Sequence, residues 1–191
     1  MLVVGVDIET TGTRDTPRAR LVQVGAAAFG DPPARWFSSL VAHPLTEMAV
    51  DPLAMSVHGI HLEEILRAPS PAQVDAALST WLAEHGATAA DPAVAVGWNV
   101  ASFDLAFIAE TLPHARTLLA RRSIDLNAVC LALSGLHPGA DFEHLKASSK
   151  TWAAAELERA GLGSHPHDAC WDAAEAVLAL HWLRSHARVR V

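Results

Sequence analysis

Apolar and polar positions pattern the first forty residues as strands and most of the remainder as helices. Residues 2–7 (LVVGVD) form a short β-branched run that ends at a polar loop, ETTGTRD. Residues 20–29 (RLVQVGAAAF) alternate in part and predict a second strand, and residues 34–41 (ARWFSSLV) predict a third. Gly30-Asp31-Pro32-Pro33 and His43-Pro44 bound that third strand. Three strands joined by short connections predict an antiparallel meander.

The period then changes. Residues 52–57 and 61–67 predict short helical turns around His58-Gly59-Ile60, and residues 71–86 predict an amphipathic helix. Ser70 is placed to cap it, Pro71 takes its first position and Gly86 closes it. Val94-Ala95-Val96-Gly97 reads as a buried strand, 103–112 as helix, 122–125 as a short strand, and 126–134, 142–160 and about 168–186 as helices. A meander followed by alternating helix and strand indicates an α/β domain with a mixed central sheet.

A chain of 191 residues suffices for one well-packed domain, so a single domain over 1–191 is expected. Half of it is hydrophobic (51%) and 18% is charged, which excludes disorder. No apolar run approaches the roughly 20 residues that cross a bilayer, so no membrane partner is expected. The N-terminus lacks the basic region and cleavage site of a signal peptide, and the expected location is cytoplasmic. Cys130 and Cys170 fall in helical patterns and read as free thiols. A net charge of −7 argues against tight non-specific binding of long duplex DNA, which needs many basic groups. The basic residues are 12 Arg and only 2 Lys, a skew that reads as codon bias and not as a binding signal.

Three clusters bear on chemistry. Asp7 and Glu9 lie two apart in a strand and so face the same side. Two carboxylates that close repel each other, and a bound cation resolves the repulsion; a solvated strand end is the plainer alternative. Asp104 follows Gly97-Trp98-Asn99-Val100-Ala101-Ser102-Phe103 at the start of a helix, where it, Asn99 or Ser102 could equally be a cap. His167 and Asp172 flank the start of the last helix, with Asp168 a good N-cap and His165 a loop residue.

Asp7-x-Glu9 with Thr10-Thr11-Gly12, the Asn99-to-Asp104 segment and the late His167-x-x-x-x-Asp172 together resemble the DEDDh 3′–5′ exonucleases. That family includes the epsilon proofreading subunit of bacterial DNA polymerase III, ribonuclease T and oligoribonuclease. Val57-His58-Gly59-Ile60 resembles an epsilon segment beside the substrate, and Ile124-Asp125-Leu126 the strand before the later helices. The resemblance spans nearly the whole chain and implies a ribonuclease H-like fold with helices flanking the sheet.

It also implies roles. Asp7, Glu9, Asp104 and Asp172 match four metal-binding acids, with Asp7 bridging two Mg²⁺ ions and Mn²⁺ a substitute. His167 matches the general base, since imidazole exchanges protons near neutral pH. Thr10, with Thr11 and Gly12, matches the part around the terminal nucleotide. His58, Ile60, Asn99 and Phe103 match substrate-side or supporting positions, Ile60 and Phe103 as stacking or core residues. The implied activity is 3′-end hydrolysis of single-stranded nucleic acid, DNA favoured, releasing nucleoside 5′-monophosphates. Implied partners are single-stranded DNA or RNA 3′ ends, a polymerase or repair assembly, and a second copy in a homodimer.

Two departures bear on the substrate. Asn99 and Asp104 are five apart, as in oligoribonuclease and one more than in epsilon or ribonuclease T. Trp98 stands where a small residue or His is common. The chain has no tyrosine, which excludes the subfamily with Tyr in place of the catalytic His. Three alternatives stand beside this reading: an RNA-directed exonuclease of oligoribonuclease or ribonuclease T type, a non-catalytic nucleic-acid-binding subunit, and an all-helical phosphohydrolase built on the His167-Asp168 pair.

Overall fold

The computed structural model describes residues 1–134, 141–163, 165 and 167–186, the side chains of Ala34 and His186 excepted. Pro166, between His165 and His167 in the sequence, lies outside the described residues. The expected meander forms from β1 (Val3–Thr10), β2 (Leu21–Ala28) and β3 (Phe37–Leu40), paired antiparallel. Then β4 (Val94–Gly97) joins the free side of β1 in parallel, and β5 (Ile124–Asp125) joins β4. The order β3-β2-β1-β4-β5 makes β1 the central strand of a mixed sheet.

Alternation along β1 sorts its two faces. Val4, Val6 and Ile8 are 0–5% exposed and share a core with Val74, Leu78 and Leu82 of α3 (Pro71–Glu84) and with Leu105, Phe107 and Ile108 of α4 (Asp104–Thr111). The opposite face carries Val3, Gly5, Asp7 and Glu9. It is covered by α8 (Ala169–His186), which packs with α6 (Leu126–Ser134) and α7 (Phe142–Arg159).

Helix α8 lies unusually close to the sheet, because two glycines leave room for its backbone. A Cβ on Gly5 would sit 1.9 Å from the Ala173 carbonyl oxygen, and one on Gly25 would sit 2.2 Å from that of Ala169. Both contacts are impossible for any side chain. Ala169 and Ala173 themselves are fully buried. Since Gly25 pairs with Asp7 across the β1–β2 ladder, the approach that buries α8 also brings its first turn to the acid-bearing end of β1.

Several boundaries differ from the sequence pattern. Strand β1 continues to Thr10, past the expected end at residue 7, through a register shift between Glu9 and Thr10. Residues Pro33–Arg35 form a 3₁₀ turn in place of strand, closed by the Trp36 N–H donating to Pro33 O, so β3 is only four residues long. The helix expected over 103–112 stops at Thr111, and Pro113 opens a separate α5 (Pro113–Thr117). Buried Asp75 of α3 caps α5 by accepting from the backbone N–H groups of His114 (3.0 Å) and Ala115 (2.8 Å). The short helices α1 (Pro52–His58) and α2 (Leu62–Arg67) lie where expected. The five-stranded sheet excludes the all-helical phosphohydrolase. Cys130 is buried, Cys170 is half-buried and both are free. No helix among the described residues is long and apolar enough to cross a membrane.

Candidate active site

Three elements deliver carboxylates to one place. Strand β1 presents Asp7 and Glu9 on the α8 face, α8 brings Asp172 from its first turn, and α4 brings Asp104 from its first residue. Asp104 is 4% exposed. The backbone N–H groups of its own residue and of Ile8 stabilise its charge, which ties the α4 terminus to β1.

The electrostatics report the crowding. Burial raises Asp7 well above the usual carboxylate range, and the charges of Asp104, Asp172 and Glu9 add to the effect while Lys150 opposes it. Burial, Asp172 and Asp104 push Glu9 up to about 8. Asp104 is raised to about 7, chiefly by burial. Burial raises Asp172 to about 6, against the His167 backbone N–H, which donates to Asp172 Oδ2 at 2.8 Å. Burial and mutual repulsion disfavour the charged form of all four acids, and a cation held among them would offset both.

His167 joins this group. A nitrogen of its ring and one carboxylate oxygen each from Glu9 and Asp172 lie within 4.8 Å of one another. The residue is exposed and sits at φ 64°, a left-handed conformation that is uncommon outside glycine. Asp168 holds that turn. Its Oδ1 accepts from the N–H groups of Cys170 (3.1 Å) and Trp171 (3.2 Å), so it is the N-cap expected of it.

Gln23 completes the anchor. It is 7% exposed on β2 opposite Glu9; its Nε2 donates to Asp168 Oδ2 at 3.1 Å and its Oε1 accepts from Ala169 N–H at 3.2 Å. The sequence reading passed over Gln23. Its one signal is a polar residue in the otherwise apolar strand LVQVGAAA.

The remaining predicted residues divide. His58, Ile60 and His167 line a cleft of about 410 Å³ with Gln23, Gly59 and Asp168. His58 lies close enough to His167 to feel its charge, and burial lowers its pKa. Thr10 borders the acids, but its hydroxyl donates to Gly12 O at 2.7 Å and shapes the loop. Thr11 is fully buried, with its hydroxyl oxygen accepting from Arg20 N–H at 2.9 Å; its side chain braces the loop from within and does not face the cleft. Phe103 is half-buried against Phe107, with ring centroids 5.2 Å apart, at the margin of the core. Asn99 is exposed at φ 67°, its Oδ1 accepting from Ser102 Oγ at 2.5 Å, and neither side chain caps α4.

The donor set suits a hard divalent cation. It consists of carboxylate oxygens with one imidazole at the edge and no thiolate, and a cation would relieve the repulsion among its members.

No protein-family model matches the chain, and no curated protein is significantly similar to it. Its fold, however, is shared with solved exonucleases. E. coli exonuclease I in complex with a dT13 oligonucleotide superposes with a TM-score of 0.64 at 20% identity, over 98% of this chain and 41% of that one. A 3′-exonuclease that recognises the 3′ end of histone mRNA stem-loop gives 0.58 at 15% identity, over 99% and 65%. Cell-death related nuclease 4 gives 0.63 at 14% identity, over 97% and 64%. The chain thus has the ribonuclease H-like α/β fold of these nucleases. It spans about two fifths of the exonuclease I chain and just under two thirds of the other two.

Proposed function

We propose that this chain is a metal-dependent 3′–5′ exonuclease acting as one domain on single-stranded nucleic acid, DNA preferred, and releasing nucleoside 5′-monophosphates. One observation carries the reading: Asp7, Glu9, Asp104 and Asp172, far apart in sequence, converge beside His167 on a fold shared with exonucleases.

Asp7, Glu9, Asp104 and Asp172 would hold the metal, Mg²⁺ by donor type with Mn²⁺ as substitute, and a pair of such ions activates water and offsets phosphate charge. Asp7 would be the ligand most readily shared between ions, because the charges of Glu9, Asp104 and Asp172 all act on it. His167 accepts the proton of the attacking water. Its exposed ring lies at the lip of the acid cluster, and its backbone is fixed by Asp172. The cleft bordered by His58 and Ile60 receives the terminal nucleotide, while the Thr10–Gly12 turn, held by the Thr10 hydroxyl, follows directly on the acid-bearing strand.

The preference for a single strand rests on the depth of the acids: a terminal nucleotide must leave its duplex partner to reach buried Asp104. The fold likeness to E. coli exonuclease I, solved in complex with a dT13 oligonucleotide, supports DNA as the substrate. A second reading, RNA 3′-end trimming, is favoured by the five-residue Asn99–Asp104 spacing and by the fold likeness to the histone mRNA 3′-exonuclease.

The test is digestion of 5′-labelled single-stranded DNA, duplex DNA and short RNA in Mg²⁺, Mn²⁺ or EDTA. A ladder that shortens one nucleotide at a time, fastest on single-stranded DNA and abolished by EDTA, is expected. A faster RNA ladder would move the assignment to the second reading, and no metal-dependent product on any substrate would overturn both.

A further inference from the structure

The two lysines of the chain, Lys146 and Lys150, lie one turn apart on α7, and both ammoniums rest on one indole. Lys146 Nζ is 5.4 Å and Lys150 Nζ 5.2 Å from the centre of the Trp98 ring, within cation–π range. Lys146 also reaches the Phe142 ring at 5.7 Å. Lys150 Nζ pairs at 3.1 Å with Glu175 Oε2, a carboxylate 6% exposed, and Trp98 Nε1 donates to the same oxygen at 3.3 Å. Two flexible side chains are therefore held in one place by an aromatic plate and a buried acid.

That place adjoins the acid cluster. Trp98 directly follows β4, where Gly97 packs against the Val6 carbonyl of β1, one residue before Asp7. Glu175 lies one turn beyond Asp172 on α8. The Lys150 charge is felt by both Asp7 and Asp172. The other charges that act on Asp7, those of Asp104, Asp172 and Glu9, are negative.

A nucleic-acid strand entering such a site meets an electrostatic difficulty. Metal ions would offset the scissile phosphate, but the next phosphates along the strand would still be repelled by the acid cluster, with no ion of their own. We propose that Lys146 and Lys150, oriented by Trp98, form a seat for a non-scissile phosphate of the strand, fixing the approach of the chain to the acids. Lys146 is the principal contact, since among the described residues it has no carboxylate partner. Lys150 is the brace, already shared with Glu175. The inference rests on the nucleic-acid reading above and adds residues that the sequence motifs did not include.

The test compares wild type with Lys146→Gln, Lys150→Gln, the double variant and Arg159→Gln. The last removes a cation from the far end of the same helix. Binding of a fluorescent single-stranded oligonucleotide in Ca²⁺ is measured over a series of salt concentrations. Lys146→Gln should bind about fivefold more weakly at low salt and lower the slope of log affinity against log salt by about 0.7, while Lys150→Gln should move both readouts the same way but less. Arg159→Gln should leave the slope unchanged.

Oligonucleotides carrying one uncharged methylphosphonate at successive linkages then locate the contact. One linkage upstream of the 3′ terminal bond should weaken wild type but not the double variant. A merely structural role for the lysines would move neither readout, and melting temperatures of the variants identify any folding defect. Unchanged slopes in folded lysine variants, or a methylphosphonate penalty equal in wild type and double variant, would overturn the phosphate seat while metal-dependent digestion still stood. Lysine-dependent binding without digestion would instead overturn the nuclease and leave the seat intact.

Discussion

Replacing Glu9 with Gln should stabilise the metal-free protein at pH 8 while removing its response to Mg²⁺. Glu9 is held by burial and by Asp172 and Asp104 at a pKa of about 8, against an ordinary value of 4.5. A raised carboxyl means that the folded chain retains a proton the unfolded chain has released. Stability therefore falls as pH rises from about 4.5 through about 8, and below 4.5 the group has no effect. Taken at face value the shift corresponds to about 5 kcal/mol. The residue is half-buried and shares its repulsion with three neighbours, so about 2 kcal/mol is the discounted figure. For a domain of this length that is a difference of about 4–8 °C in melting temperature.

Thermal unfolding in EDTA at pH 5 and pH 8 provides the assay. Glu9→Gln should match wild type at pH 5 and melt several degrees higher at pH 8. Mg²⁺ should raise the wild-type midpoint more at pH 8 than at pH 5, and should do little for the variant. A variant no more stable than wild type at pH 8 in EDTA would refute the claim that these acids are crowded without a cation.

Other outcomes follow from the same geometry. Asp104→Asn and Asp172→Asn should each reduce turnover at least about 10³-fold in single-turnover digestion while the chains stay folded, because each replaces an anionic metal-holding carboxylate by a neutral amide with one oxygen fewer. His167→Ala should lower kcat by about 10²–10⁴-fold, with KM and the Mg²⁺ midpoint nearly unchanged; an equal loss of binding would contradict its role as proton acceptor. Gly25→Ala would put a Cβ 2.2 Å from the Ala169 carbonyl oxygen. It should destabilise the fold by about 1–3 kcal/mol or more and displace the first turn of α8, so a variant that melts and digests like wild type would show that the close approach is dispensable.

Period-2 and period-3.6 patterning made most elements legible, because β1, β2, β4 and the long helices bury continuous apolar faces. What escaped it depends on partners distant in sequence. Glu9 and Thr10 look like loop residues beside the Thr-Thr-Gly turn, yet β2 supplies partners that extend the strand over them. Helix α5 is too short to stand alone and exists under the cap that Asp75 provides from α3. Gln23 reads as an irregularity in a core strand until Asp168 and Ala169 arrive against it. The five candidate residues Asp7, Glu9, Asp104, His167 and Asp172 were visible through their motifs. Thr11 was grouped with them by adjacency alone; it lies just past the end of β1, fully buried, with its hydroxyl oxygen taken up by the Arg20 N–H. Lys146 and Lys150, which composition presented as remnants of codon bias, gain meaning only where Trp98 brings them to the acids.

Anomalous diffraction at the manganese edge, from crystals of His167→Ala grown with Mn²⁺ and a short single-stranded oligonucleotide, would locate the cations directly. Two peaks about 3.5–4 Å apart, ligated by Asp7, Glu9, Asp104 and Asp172 against the 3′-terminal phosphate, are predicted. Oligonucleotide bound with no manganese among those four carboxylates would contradict the account.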